Sequence, residues 1–149
     1  MTKQEQAKAY FTQGYNCAQA VFLTFSEELG LDKQTALKIS SSFGGGMGRM
    51  REVCGAVSGM FMAEGLKNGY SDPADAAAKA ALYKRIQNLA AKFKEINGSI
   101  ICRELLQVET QSSDPNPEPR TREYYKKRPC VELVGDAARI LDESWKNEI

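Results

Sequence analysis

Hydrophobic side chains recur at every third or fourth position along most of the chain, which is the spacing that places them on one face of an α-helix. The clearest stripe follows Asn16 and consists of Cys17, Val21, Phe25 and Leu29. A second stripe, late in the sequence, consists of Val134, Ala138, Leu141 and Trp145. No segment shows the apolar–polar alternation of a half-buried β-strand. The pattern therefore predicts an all-α fold.

Capping residues and helix breakers divide this pattern into separate helices. Asn16 and Asp32 are typical N-cap residues, Pro129 is typical of a first helical turn, and Gly30 and Gly98 are typical of helix ends. The predicted helices cover about residues 3–13, 17–29, 32–43, 54–68, 73–97, 99–106 and 129–145. We expect a compact helical bundle of about six or seven helices.

The chain of 149 residues is long enough to form a hydrophobic core, and we expect residues 1–149 to be a single domain. Residues 109–121 contain three of the five prolines and no large apolar side chain. This composition predicts an exposed proline-rich loop within the domain, because too few residues follow it to form a second core.

The helical pattern stops at a glycine-rich segment that contains Gly44, Gly45, Gly46 and Gly48, with Arg49 directly after it. The segment lacks the Gly-Lys-Ser/Thr ending of a P-loop, and no predicted strand precedes it, so we do not expect a nucleotide site. We favour a tight turn between two helices. The alternative is a site in which the backbone amides and Arg49 bind a small anion or an anionic cluster.

Composition narrows the chemistry that the chain can perform. The sequence has no histidine, which excludes Ser-His-Asp and Cys-His catalytic groups and histidine-ligated zinc. Its 20 basic and 19 acidic residues are balanced, so we expect no nucleic-acid partner. No secretory segment and no apolar run of membrane-spanning length is evident, and we expect a cytoplasmic protein without a membrane partner. In that reducing compartment a structural disulfide is uncommon.

Cysteine is therefore the first candidate for any reactive group. The four cysteines, Cys17, Cys54, Cys102 and Cys130, form no C-x-x-C motif, but each is predicted to lie in the first turn of a helix. Free backbone N–H groups and the helix dipole stabilise negative charge at that end of a helix. We therefore expect thiols with lowered pKa values, which are the reactive or metal-binding kind.

Basic residues precede two of these cysteines. Arg49 and Arg51 precede Cys54, and the basic run 126–128 precedes Cys130. Cys54 also follows the glycine-rich segment, which makes it the best candidate for the reactive thiol. A single free cysteine is as often a small buried apolar residue, but the placement of all four at helix starts favours chemistry.

The segment Asn16-Cys17-Ala18-Gln19-Ala20, the glycine-rich loop that leads to Cys54-Gly55-Ala56-Val57-Ser58-Gly59, and two later single cysteines resemble the CGAxxG-type four-cysteine family. Carried over by position, the family's cysteines are Cys17, Cys54, Cys102 and Cys130, and its small motif residues are Gly55, Ala56 and Gly59. The resemblance implies redox activity. It supports a redox or a metal site without choosing between them.

The first functional hypothesis is a thiol–disulfide redox protein, and so a candidate oxidoreductase. Cys54 would attack a disulfide or oxidant and Cys17 would resolve the intermediate, with Cys102 and Cys130 as a second pair or an electron relay. This chemistry requires no cofactor. Its partner would be a redox protein or a small thiol.

Two alternatives remain open. In the second hypothesis all four cysteines are ligands of zinc or an iron–sulfur cluster, which we rank lower because C-x-x-C motifs are absent. In the third hypothesis the chain is a non-catalytic helical interaction module and its cysteines only pack. The small-residue face would then bind a partner or a second copy in a homodimer; it consists of Gly55, Ala56, Gly59 and Ala63.

Overall fold

The computed structural model describes residues 1–106, 116, 119–121 and 129–147. The all-α prediction is confirmed. In this part of the chain the longer helices are α1 (Lys3–Thr12), α2 (Cys17–Ser26), α3 (Lys33–Ser41), α5 (Gly55–Asn68), α6 (Ala76–Asn97) and α8 (Cys130–Lys146). Helix α7 (Cys102–Leu105) is a single turn long, and the short element α4 (Gly44–Met47) is not a regular helix, because Gly45 and Gly46 have non-helical φ and ψ angles. The described residues contain no strand, only one antiparallel bridge between Val53 and Ile101.

Helix α2 lies at the centre of the bundle. Eight of its ten residues are buried, as expected for a helix that is apolar on all sides. It packs against α1, α3, α5 and α8. Its start is fixed by the predicted cap: the Asn16 side chain accepts from the Gln19 backbone N–H at 2.9 Å, and the Gln19 side chain accepts from the Asn16 N–H at 3.0 Å.

Helix α5 packs against α2 at very short range because its contact face carries glycine. A Cβ atom at Gly59 would lie 2.6 Å from the Ala18 carbonyl oxygen, and a Cβ atom at Gly55 would lie 3.1 Å from the Cys17 Cβ. The small-residue face is thus buried inside the bundle. The expectation that this face is free to bind a partner or a second copy is wrong, because α2 already covers it.

Helices α6 and α8 complete the core around α2 and α5. The predicted stripe of α8 is confirmed, and Trp145 at its end contacts the Phe25 ring edge to face, with centroids 5.1 Å apart. Helix α6 buries only Leu89 and Phe93, and Ile96 is 50% exposed. It is therefore an outer helix of the bundle.

The predicted start of α6 at residue 73 is wrong. Asp72 instead closes a turn, with its carboxylate accepting from the Ala74 N–H at 2.9 Å. Asp75 then caps the helix by accepting from the Ala78 N–H at 3.0 Å. The helix consequently begins at Ala76.

Two sequence predictions fall largely on residues that the structure does not describe. Most of the proline-rich loop 109–121 and all of the basic run 126–128 lie outside the described residues. None of the described helices combines the length and apolarity needed to cross a membrane.

Candidate functional site

All four cysteines line one cavity of about 390 Å³. They reach it from four separate places in the sequence, because the starts of α2, α5, α7 and α8 meet on the same side of the bundle. Cys54, Cys102 and Cys130 are buried, and Cys17 is partly exposed. All four are free thiols. The sequence placed each thiol at a helix start, and the fold brings these starts together.

The predicted helix-start positions are confirmed with small shifts. Cys17, Cys102 and Cys130 are each the first residue of their helix, and Cys54 is the N-cap residue of α5. The helix that contains Cys102 was predicted to begin at residue 99. The Ser99 hydroxyl instead accepts from the Ile101 N–H at 3.0 Å, so α7 begins later.

Backbone pairing of the segments before α5 and α7 places Cys54 and Cys102 at diagonal positions, one on each side of the bridge between Val53 and Ile101. The Cys54 N–H donates to the Ile100 carbonyl at 2.8 Å, and the Cys102 N–H donates to the Glu52 carbonyl at 2.6 Å. These bonds flank the bridge between Val53 and Ile101. A pairing between segments so far apart in the chain leaves no local signal in the sequence.

Cys17 and Cys130 are near enough in the cavity for their side chains to interact through a hydrogen bond. This bond, followed by burial, raises the pKa of Cys17 well above its ordinary value. A negative charge on Cys130 also raises the pKa of Cys17, so ionisation of one thiol of the pair disfavours ionisation of the other.

The expectation of lowered thiol pKa values is wrong for Cys54 as well as for Cys17. Burial raises the pKa of Cys54 from its ordinary value of 9.0 to about 12. The N–H groups of Val57 and Ala56 at the start of α5 act in the opposite direction, as the helix-start argument predicted. The loss of hydration around a 4% exposed residue outweighs them.

Arg51 supplies a buried positive charge beside Cys102. Its guanidinium Nη1 donates to the Cys102 Sγ at 3.8 Å, and the residue is 7% exposed. No carboxylate of the described residues forms an ion pair with it. Burying a cation without a counter-charge is costly, by several kcal/mol. The geometry therefore favours the thiolate form of Cys102 as the partner of Arg51.

The glycine-rich segment is a turn, as predicted, but its left-handed backbone conformation extends to residues that are not glycine. The five consecutive residues 45–49 all have φ between 61° and 72°, and Arg51 has φ 61°. This left-handed conformation includes the non-glycine residues Met47, Arg49 and Arg51, for which it costs about 1–2 kcal/mol each. Backbone of this kind persists only where the surrounding structure imposes it, which is common at functional sites.

At Gly46 the turn passes very close to both Cys102 and Arg51. A Cβ atom there would lie 2.6 Å from the Cys102 Cβ and 2.9 Å from the Arg51 Cα. Only glycine allows the turn to pass so close to both residues, while its positive φ favours glycine independently. The turn thus fixes Arg51 against Cys102.

The residues of the anion-site prediction belong to the same cavity. Gly44, Gly45, Gly46, Gly48 and Arg49 all line it together with the cysteines. The two sets of candidate residues are therefore parts of one site. Anion binding itself stays a prediction.

Arg120 is a cavity residue that sequence reasoning missed. It lies in the segment predicted as an exposed loop, yet its guanidinium donates to the carbonyl oxygens of Phe11 at 2.8 Å and Tyr15 at 2.9 Å. It also lies over the Phe11 ring, 4.1 Å from its centroid. These partners are distant in sequence and are backbone or aromatic groups, so no motif could have indicated them.

The arrangement also bears on the metal alternative. As placed, no group of three or more Cys, Asp or Glu side chains in the described part of the chain is close enough to hold one metal ion. The four thiols surround a cavity instead of converging on a point. A single zinc ion does not fit this placement, because zinc requires its sulfur ligands at about 2.3 Å.

The fold and the site define a small all-α protein whose four cysteines share a buried, arginine-lined cavity. The model of the family described as "Putative redox-active protein (C_GCAxxG_C_C)" matches residues 15–144. The chain belongs to this family, as the sequence resemblance indicated. Comparison with curated proteins and with solved structures gave no match.

Proposed function

We propose that the protein exchanges electrons with disulfides through the thiols of Cys17 and Cys130. The observation that carries the proposal is the hydrogen bond between these two side chains in the common cavity. Thiols in direct contact need only a small approach to reach the geometry of a disulfide. This pairing differs from the Cys54–Cys17 pair favoured by the sequence, which no observation tests.

The proposed reaction has two steps. The Cys130 thiolate, stabilised by the Cys17 S–H, attacks one sulfur of a substrate disulfide; a mixed disulfide forms and one substrate thiolate leaves. Cys17 then loses its proton to a leaving thiolate and attacks the Cys130 sulfur. The second substrate thiolate leaves, so two protein thiols are oxidised and one substrate disulfide is reduced to two thiols.

Cys54 and Cys102 have supporting roles in this proposal. Cys54 stays protonated near neutral pH because burial raises its pKa to about 12. Cys102 is paired with Arg51 and lies diagonally across the backbone pairing from Cys54. They could form a second disulfide that receives electrons from the first. We expect this chemistry in a reducing compartment such as the cytoplasm.

Thiol titration of the reduced and the oxidised protein tests the proposal. Treatment with a small disulfide should remove two thiols reversibly. Cys17→Ser should accumulate the mixed disulfide on Cys130, and Cys130→Ser should react much more slowly. Cys54→Ser is the matched control and should still form the Cys17–Cys130 bond. Four thiols that never form a reversible disulfide would contradict the proposal.

An iron–sulfur cluster is the second candidate function, because four cysteines and three arginines surround one cavity. Four cysteine thiolates are the usual ligands of such clusters, and arginines would offset their negative charge. Iron and sulfide analysis of anaerobically purified protein, with its visible spectrum, tests this candidate. Colourless protein without iron and with an unchanged fold would rule it out.

A further inference from the structure

We propose that Cys102 reduces hydrogen peroxide and that Arg51 assists the reaction. This activity uses a cysteine to which the proposed disulfide exchange gives only a supporting role, and it does not depend on that exchange. It is carried by the contact between the guanidinium and the thiol, by the burial of both residues and by their common position on the cavity wall.

Arg51 directs hydrogen-bond donors into the cavity beside the Cys102 sulfur. A guanidinium has several N–H donors, and among the described residues the only acceptor of this side chain is the Cys102 Sγ, at 3.8 Å. Arg51 is 7% exposed and lines the cavity, yet none of its nitrogen atoms is both fully buried and without a partner. The remaining donors therefore open onto the cavity, next to the sulfur.

Hydrogen peroxide suits this position better than a disulfide does. Cys102 is itself only 7% exposed, and a Cβ atom at Gly46 would lie 2.6 Å from its Cβ, so a disulfide with two substituents has little room to align with the sulfur. Hydrogen peroxide is much smaller, and its oxygen atoms accept the hydrogen bonds that Arg51 offers. Its leaving group is hydroxide, which is far more basic than a thiolate and therefore gains more from a cationic donor beside it.

The reaction begins with attack of the Cys102 thiolate on one peroxide oxygen, and the O–O bond breaks. The other oxygen leaves as hydroxide, which Arg51 stabilises and which takes a proton from the solvent. The sulfur loses two electrons and becomes a sulfenic acid, and the peroxide is reduced to the sulfenic hydroxyl group and one water molecule. A small thiol from the medium condenses with the sulfenic acid and releases water, and a second small thiol reduces the mixed disulfide.

Trapping of the sulfenic acid in the reduced protein tests the proposal without any variant. Dimedone labels sulfenic acids and leaves thiols unmodified, and mass spectrometry of peptides locates the label. With one equivalent of hydrogen peroxide at pH 7 we expect the first label on Cys102. Peroxide should be consumed at least about tenfold faster than by free cysteine, of which only about 3% is thiolate at that pH. A first label on another cysteine, or a rate no higher than that of free cysteine, would overturn the proposal.

Arg51→Gln separates assistance to the leaving hydroxide from ionisation of the thiol. It should slow the peroxide reaction by at least about thirtyfold but alkylation of Cys102 by iodoacetamide by only about tenfold, because alkylation releases no hydroxide. Arg139→Gln is the matched control and should change neither rate, since Arg139 pairs with Asp136 and Glu143 on α8 and does not line the cavity. Equal losses of the two rates in Arg51→Gln would overturn the role of Arg51 in the peroxide step.

The peroxide activity and the proposed disulfide exchange fail separately. Labelling of Cys102 by peroxide and dimedone, in protein that forms no reversible disulfide with bis(hydroxyethyl) disulfide, would support this inference and contradict the proposed function. Reversible disulfide formation between Cys17 and Cys130, with Cys102 inert to peroxide, would support the proposed function and overturn this inference.

Discussion

Two buried charges in this bundle are accommodated in opposite ways. Glu64 of α5 is fully buried, and one of its carboxylate oxygens accepts hydrogen bonds from Trp145 Nε1 and Asn68 Nδ2, both at 2.9 Å. Arg85 of α6 lies 3.7 Å from the other oxygen. These partners belong to α5, α6 and α8, so the network joins three regular helices.

Arg51 has neither a counter-charge among carboxylates of the described residues nor a position on a regular helix. Its described partner is a thiol in place of a carboxylate, and it stands on left-handed backbone at the end of the glycine-rich turn. A buried charge with strong partners on regular helices stabilises a fold. A buried charge on strained backbone beside thiols lowers stability and is typical of functional sites. We therefore assign Glu64 to structure and Arg51 to chemistry.

Glu64→Ala gives the largest expected effect on stability. It leaves a cavity and removes the acceptor of the Trp145 and Asn68 hydrogen bonds, so the free energy of unfolding should fall by about 3 kcal/mol in urea denaturation. The oxidation rate of Cys17 and Cys130 should change less than about twofold. Glu95→Ala, at an exposed position of α6, is the control and should change stability by no more than about 0.5 kcal/mol. Loss of thiol chemistry without loss of stability in Glu64→Ala would reverse our assignment.

Alkaline pH should destabilise the cavity side of the molecule through Cys54. Its folded-state pKa of about 12 lies above its ordinary value of 9.0, so the contribution is complete below pH 9.0 and is lost as pH rises toward 12. Near pH 11 the loss should be about 3 kcal/mol, since about two pK units at about 1.4 kcal/mol each have then been lost. The free energy of unfolding in urea should be measured against pH for the protein and for Cys54→Ala. Lysine and tyrosine titrate in both proteins, so the difference between the two curves is the contribution of Cys54. Parallel pH curves for the two proteins would show that Cys54 is not buried as described.

Two glycine substitutions in the turn separate backbone strain from close contact. Gly46→Ala and Gly48→Ala both place alanine at positive φ, but only the Gly46 Cβ would contact Cys102, since the nearest atom to a Gly48 Cβ is 3.8 Å away. Gly48→Ala should lower the free energy of unfolding by about 1 kcal/mol. Gly46→Ala should lower it by about 1.5 kcal/mol more and should also change the reactivity of Cys102. Equal effects would mean that the turn does not position that cysteine.

Arg51→Gly should have the smallest effect on stability. Loss of side-chain packing is offset by relief of the positive φ and by removal of a buried charge, so the free energy of unfolding should change by no more than about 1 kcal/mol. Alkylation of Cys102 by iodoacetamide near neutral pH, followed by mass spectrometry, should slow by about tenfold because the thiolate loses its partner. Arg51→Lys should retain much of the rate. A large loss of stability with unchanged alkylation would place Arg51 with Glu64 as a structural residue.

The sequence predicted what depends on local pattern. The helices, the Asn16 cap and the location of every cysteine at a helix start follow from hydrophobic spacing and capping residues, and these predictions are confirmed. Glycine-rich composition likewise predicted a turn next to Cys54. The resemblance to the four-cysteine family is confirmed by the match over residues 15–144.

What the sequence missed depends on contacts between distant segments. The Cys17 side chain interacts with that of Cys130, and Arg51 donates a hydrogen bond to Cys102. Arg120 donates hydrogen bonds to carbonyl oxygens of α1 and of the loop that follows it. Burial also reversed the expected pKa shift of Cys54, because desolvation depends on how the whole bundle packs around the thiol. Neither the contacts between distant segments nor the burial of a thiol can be predicted from residue spacing.

The most direct test of our account is the connectivity of the disulfide that forms when the reduced protein is treated with a small disulfide. Mass spectrometry of proteolytic peptides, prepared without reduction at acidic pH to prevent exchange, identifies the linked cysteines. We predict a bond between Cys17 and Cys130, with Cys54 and Cys102 still alkylated as free thiols at early times. A first bond between Cys54 and Cys17, or only intermolecular disulfides, would contradict the account.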